Sequence, residues 1–164
     1  MNYLPIIEQK IMTVPELKRM IAVWRLKSKK VVFTNGCFDL IHAGHIHLLT
    51  TARSFGDVLI AALNTDASVS KLKPGRPLQD EQSRALIMAS FDFIDAVILF
   101  DEETPYELIK ALQPDVLVKG GDYTPDTVVG KDIVESNGGK VELVKYMEGF
   151  STSNIISRIR GLNG

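Results

Sequence analysis

His42 and His45 stand three residues apart in the stretch Thr34-Asn35-Gly36-Cys37-Phe38-Asp39-Leu40-Ile41-His42-Ala43-Gly44-His45. Near the start of a helix, that spacing lets both imidazoles face one spot. Gly44 between them leaves room for a ligand at the backbone. First-turn N–H groups and the helix dipole favour an anion in the same place. Two imidazoles plus free amides suit a polyphosphate. A zinc role would call for a third ligand at familiar spacing or an HExxH arrangement, and neither accompanies the pair. His47, two residues beyond His45, points elsewhere. Cys37 has no evident base partner and reads as a small packed residue rather than a nucleophile.

Two other segments carry usable chemistry. Asn64-Thr65-Asp66 is followed by Lys71-Leu72-Lys73-Pro74-Gly75-Arg76, lysines on a Gly/Pro loop that can fold over a triphosphate. Read alone, the same residues are a solvated basic loop. Gly149-Phe150-Ser151-Thr152-Ser153-Asn154 puts three hydroxyl residues at the start of a helix. Such residues serve as an N-cap, or at a ligand-facing edge bind phosphate oxygens.

The elements that must position these groups follow from periodicity. Residues 1–12 are apolar without a clear period and read as an arm. Thr13-Val14-Pro15-Glu16 is a capping box, and Leu17, Met20, Ile21 and Trp24 mark an amphipathic helix over 14–27. Val31–Thr34, Val58–Leu63, Ala96–Phe100, Val116–Val118 and Val141–Val144 read as five short strands. Helices are expected over 44–55, 65–72, 80–91, 128–137 and 152–160. Another opens at a second capping box, Thr104-Pro105-Tyr106-Glu107, and ends before Pro114. Strands alternating with helices imply an α/β fold: a Rossmann-like, doubly wound domain with a five-stranded parallel sheet flanked by helices. Right-handed crossovers then gather ligands at the carboxyl ends of the strands, near a topological switch point. The expected division is an arm and helix over 1–27 and the main domain over 28–164.

Composition excludes several classes. The 164 residues fit one domain, and one Cys rules out a disulfide framework. A net charge of −1 gives no general field for nucleic acid. The longest apolar run, Val58–Leu63, is far short of the roughly 20 residues that span a bilayer. The start MNYLPIIEQK has neither the basic beginning nor the apolar stretch of a secretion signal, so a cytoplasmic location is expected.

The wording of the motifs is similar to that of the HxGH nucleotidyltransferase superfamily, and within it the cytidylyltransferase-like branch. NGCFDLIHAGHIHLL, LNTDASVSKLKPGRP, RALIMASFDFIDAVILFDEETP, PDVLVKGGDY and GFSTSNII occur in that family's order over about residues 28–160. VLVKGGDY and EGFSTSNII resemble the adenylyltransferases that act on D-glycero-β-D-manno-heptose 1-phosphate. These occur free-standing or joined to a sugar kinase. The chain has no room for the kinase half, so the free-standing form is expected.

The resemblance implies roles for particular residues. His42 and His45 would hold the nucleotide phosphates and stabilise the transition state, with Lys73 reaching the phosphates and Lys71 a weaker match. Thr34, Asn35, Gly36, Cys37, Phe38 and Gly44 would line the nucleotide pocket. Arg84, Lys119, Gly121, Asp122, Ser151, Thr152 and Ser153 match further nucleotide-binding positions. Asp39, Asn64, Asp66 and Arg76 are candidates for contacting the acceptor, and Asp39 also for fixing the turn or a histidine tautomer. Relatives that use CTP on glycerol phosphate carry an arginine where Tyr146 stands, which favours ATP over CTP. Pro74 stands where a glycine commonly follows the lysine, and this stiffens the loop. The implied partners are ATP with Mg²⁺, a sugar phosphate and a second copy in a homodimer, with no metal held by the protein alone. A cytidylyltransferase and a non-catalytic nucleotide sensor are the competing readings, separated by nucleotide preference and by pyrophosphate release.

Overall fold

Runs of β-branched and aliphatic residues become strands buried on both faces, as a sheet covered by helices on each side requires. The computed structural model describes residues 2–121, 124, 127–145 and 147–162. In chain order its elements are α1 (Leu4–Glu8), α2 (Val14–Leu26), β1 (Val31–Gly36), α3 (Ala43–Arg53), β2 (Val58–Asn64), α4 (Asp66–Leu72) and α5 (Glu81–Ser90). Then follow β3 (Ala96–Phe100), α6 (Tyr106–Leu112), β4 (Val116–Gly120), α7 (Lys131–Ser136), β5 (Lys140–Val144) and α8 (Thr152–Leu162).

The sheet order is β3-β2-β1-β4-β5, and every neighbouring pair is parallel. This is the α/β architecture expected from the alternation of apolar runs. Side chains along each strand point alternately to two cores. Phe33, Ile60, Ile98 and Leu117 join Leu17, Ile21 and Trp24 of α2 on one face. Val32, Leu59, Val97 and Val118 join Leu49 of α3 and Met88 of α5 on the other. The apolar stripe of α2 at helical spacing is thus a core contact.

Three local expectations change. The segment 1–12 is partly built into the fold: α1 packs near α5, and Ile11 bridges to Val97. Val97 N–H donates to Lys10 O at 2.7 Å and Met12 N–H to Val97 O at 2.9 Å, which covers the β3 edge of the sheet. The Thr104 capping box does not form. Pro105 occupies the N-cap of α6, with no side-chain cap. Helix α7 is shorter than 128–137, because Gly130 at its N-cap has φ +88° and lies against Ile109, where a Cβ would come within 2.6 Å.

Strand starts share a device that the sequence pattern does not announce. Asp57, Asp95 and Asp115 each immediately precede a strand and clamp one residue of a neighbouring segment. The Asp57 amide donates to Lys30 O at 2.9 Å, and its carboxylate accepts from Lys30 N at 2.8 Å. Asp95 does the same with Leu59 (3.0 and 2.8 Å), and Asp115 with Val31 (2.9 and 2.7 Å). Each clamp satisfies an N–H at the amino end of the sheet and fixes its register. Asp115→Ala leaves the Val31 N–H without its partner and is expected to cost about 1–3 kcal/mol. Urea denaturation of the variant beside the wild type measures this.

Candidate active site

β1 is where the strand order reverses: β2 and β3 lie to one side, β4 and β5 to the other. The connections leaving this point diverge and open a crevice at the carboxyl ends of the strands. The His42–His45 motif follows β1 directly, so the fold delivers it to that crevice.

His42 is the N-cap residue of α3 in extended conformation, and His45 lies in the first turn. Their rings stack at 3.8 Å between centroids with a 25° interplanar angle. Phe38 meets His45 edge-on at 5.3 Å. Phe38 is buried, with φ +45°, a left-handed turn that is unusual for a bulky residue. The turn brings its ring over Gly36, where a Cβ would lie 3.1 Å away. Gly44 serves a purpose different from the expected one. A Cβ there would stand 3.0 Å from Nδ1 of His42, so the missing side chain makes room for the imidazole itself.

Burial pushes His42 below the ordinary imidazole range. His45 is pushed down to about 4. The causes are burial first, then the neighbouring charges of His42 and Lys73; the Leu40 carbonyl opposes them, and Arg76 adds a smaller push downward. Both rings are therefore neutral at pH 7. Among the described residues, the buried side-chain polar atoms without a hydrogen bond of ordinary geometry are Nδ1 of His42, Nδ1 of His45 and Oγ1 of Thr34. All three belong to the same motif. The two histidines border the crevice, where a ligand can complete such polarity, while Thr34 is buried behind it.

The crevice has two chambers. The first, about 400 Å³, runs from His42, Gly44 and His45 to the β5–α8 connection and the start of α8. Ser151 caps α8, accepting from Asn154 N at 3.0 Å, and Ser151, Thr152 and Ser153 all line this chamber. The amino ends of α3 and α8 thus converge on one volume, as anion binding favours. The second chamber, about 410 Å³, is lined by Asn35, Gly36, Cys37, Phe38, Asn64 and Lys119, with Glu103 and Thr104 from the segment after β3 and Thr127 from the segment after β4. His45, Leu48, Lys73, Arg76, Gly120 and Thr152 border both chambers.

Two buried charges hold this wall in place. Asp39 is 1% exposed. Its carboxylate accepts from Arg76 Nε at 2.5 Å and from the amides of Leu78 and Gln79 at 3.0 Å. Burial alone would raise its pKa; the Leu78 and Gln79 amides and Arg76 outweigh that and keep the carboxyl below its ordinary value. Arg84 is wholly buried. It donates to Gln79 O (3.0 Å), Cys37 O (2.6 Å) and Asn64 O (2.8 Å), and pairs with Asp66 Oδ1 (2.8 Å). Lys119 donates to Asn35 Oδ1 at 2.7 Å, and burial holds its ammonium below the usual lysine range, with Cys37 opposing.

Several sequence expectations need correction. Arg84 lines neither chamber, because its guanidinium is engaged with backbone carbonyls and Asp66 and braces the wall from behind. Asp66 holds Arg84 outside the crevice. Asp39 fixes the loop 76–79, not a histidine. Thr34 is fully buried, Lys71 is exposed on α4, and Gly121 donates to Val144 O at 3.0 Å; none of the three lines a chamber. Asp122 and Tyr146 lie outside the described residues. Leu48, Phe150, Glu103 and Thr127 were missed. Glu103 follows a strand's carboxyl end, and that rule alone would have singled it out.

Comparison with known proteins agrees with this geometry. Residues 33–158 match the family described as Cytidylyltransferase-like. The chain is 57% identical over 153 residues to "Bifunctional protein HldE" of Syntrophotalea carbinolica, and 58% identical over 153 residues to the protein of that name from Trichlorobacter lovleyi. Each match covers 93% of this chain and 31% of the relative, so the chain spans about a third of the length of these curated relatives. The crystal structure of the lipopolysaccharide core biosynthesis protein from Thermoplasma volcanium superposes with a TM-score of 0.60 at 27% identity, covering 73% of this chain and 97% of that one. The chain therefore belongs to the cytidylyltransferase-like family of nucleotidyltransferases: the match begins inside β1 and ends inside α8, taking in the strands and helix ends around the crevice.

Proposed function

We propose that the protein transfers the adenylyl group of ATP to D-glycero-β-D-manno-heptose 1-phosphate, giving ADP-heptose and pyrophosphate. One observation carries this reading. Two chambers of similar volume meet at a wall of His45, Lys73 and Arg76, so two substrates can present phosphates to each other across cationic and imidazole groups. The first chamber, with two helix amino ends, suits ATP. The second suits the acceptor, so Asn35, Gly36, Cys37, Phe38 and Lys119, expected beside the nucleotide, would face the acceptor in this reading. The Thermoplasma volcanium relative is named for lipopolysaccharide core biosynthesis, which is sugar chemistry, and the similarity extends the idea to this chain.

In this reading an acceptor phosphate oxygen attacks the α-phosphorus in line. A P–O bond forms, the bond from the α-phosphorus to the bridging oxygen breaks, and pyrophosphate departs with the electron pair. Such transfers depend on positioning and charge stabilisation more than on a protein nucleophile. Neutral His42 and His45 donate N–H bonds to phosphate oxygens, and Lys73 and Arg76 balance the charge. Among the described residues no three His, Cys, Asp or Glu side chains cluster to hold a metal. Mg²⁺ entering with ATP would be held by its phosphates and water, and would neutralise phosphate charge. A homodimer would cover the exposed apolar residues of α8, Ile159 and Leu162.

Pyrophosphate release with ATP or CTP, Mg²⁺ and a panel of sugar 1-phosphates tests the proposal directly. The heptose 1-phosphate with ATP should be fastest; preference for CTP, or silence with every sugar phosphate, overturns it. His42→Ala or His45→Ala should lower kcat by about 10²-fold or more while the circular dichroism spectrum is kept. The pKa shifts give a third expectation. In the free protein His45 stays neutral until pH falls to about 4. An anionic triphosphate beside it favours the charged form, so adding ATP should move its titration upward in ¹⁵N-edited NMR.

A further inference from the structure

The geometry points to Glu103 as the residue that reads the far end of the acceptor, accepting hydrogen bonds from sugar hydroxyls and rejecting a second anionic group there. The inference rests on the proposed function and deepens it. The second chamber runs along the carboxyl edge of the sheet, from the β1–β4 switch point to the exit of β3. Adjacent strands lie about 4.8 Å apart, so β3 is about 10 Å from β1. That span fits a phosphate followed by a sugar ring and its exocyclic carbons.

The chamber is polarised along this length. Lys73, Arg76 and Lys119 supply positive charge around the switch point, where the reacting phosphate belongs. At the other end, Glu103 and Thr104 come from the loop that leaves β3. Neighbouring acidic residues of that loop are engaged elsewhere or turned away. Asp101 accepts from Thr65 Oγ1 at 2.5 Å, and Glu102 lines neither chamber. Glu103 is exposed, lines the chamber, and makes no ion pair or side-chain hydrogen bond among the described residues. A carboxylate can accept from two adjacent hydroxyls at once. It also repels a phosphate placed at the same point, as like charges do. Glu103 therefore favours acceptors that are anionic at one end and neutral but hydroxylated at the other.

The test compares a sugar 1-phosphate with the same sugar carrying a second phosphate on its terminal carbon, by pyrophosphate release with ATP. Wild type should favour the monophosphate by at least about tenfold in kcat/KM. Glu103→Gln should shrink that preference about tenfold, chiefly through acceptor KM, and Glu103→Lys should abolish or reverse it. ATP affinity by calorimetry should stay as in the wild type, which shows that both variants keep the nucleotide chamber. A wild-type enzyme indifferent to the second phosphate, or variants with an unaltered ratio, would overturn the assignment to Glu103 and leave the proposed function standing. Absence of pyrophosphate with every sugar phosphate would instead overturn the proposed function, and this inference with it.

Discussion

A buried charge must be paired or it opposes folding, and the crevice is assembled around two that are paired well. Arg84 ties together the β1–α3 turn through Cys37, the exit of β2 through Asn64, and the loop before α5 through Gln79. Asp39 takes hold of the same loop at Arg76, Leu78 and Gln79. The segment with Lys73 is thus fastened at its carboxyl end and open at Gly75, where φ is +74° and nothing lies within 4 Å of the Cβ position. A lysine on a stem anchored this way can swing toward a phosphate without losing its place. Remove either buried charge and the other partners are left unsatisfied in a dry environment, which costs far more than the net worth of each bond.

The same logic explains the histidines. Burial lowers the pKa of both stacked imidazoles, and for His45 the charges of His42, Lys73 and Arg76 add to it, so both are neutral in the free protein at pH 7. Their neutrality is imposed by the surroundings, and it leaves them as uncharged N–H donors. In the proposed reading a polyphosphate would meet them from the direction in which the amino ends of α3 and α8 already point. Binding and reaction then draw on dipoles and donors fixed before the ligand arrives, the condition under which such groups act without reorganising.

How much of this the sequence disclosed follows from where the information sits. Strands buried on both faces announce themselves as unbroken apolar runs, and β2 is buried at all seven positions. The histidine motif was legible because the chemistry and the element boundary coincide at the end of β1. The bonds of Arg84 were not legible, because an arginine near a phosphate site looks the same in one dimension whether its guanidinium faces a ligand or backbone carbonyls. The aspartate clamps at Lys30, Leu59 and Val31 were invisible for a related reason: each joins residues 27 to 84 positions apart, and only the register brings them together. Chain neighbours also mislead locally, as at Thr104, where the start of α6 at Tyr106 leaves the threonine outside the cap position.

The sheet order supplies the remaining step. Because β1 lies between β2 and β4, its exit is bordered by connections that run to opposite sides, and no crossover covers it. The crevice at the carboxyl ends of the strands therefore falls on the residues that follow β1. A chamber opens on each side, one toward β5 and α8, the other toward β3. In the proposed reading, two ligands entering from opposite sides would meet end to end over His45, the arrangement an in-line displacement demands. The side walls are then free to differ: the β5–α8 wall can be shaped for one ligand and the β3–α6 wall for another, without disturbing the reacting centre. A fold that separates recognition from reaction in this way can change acceptors by altering one loop.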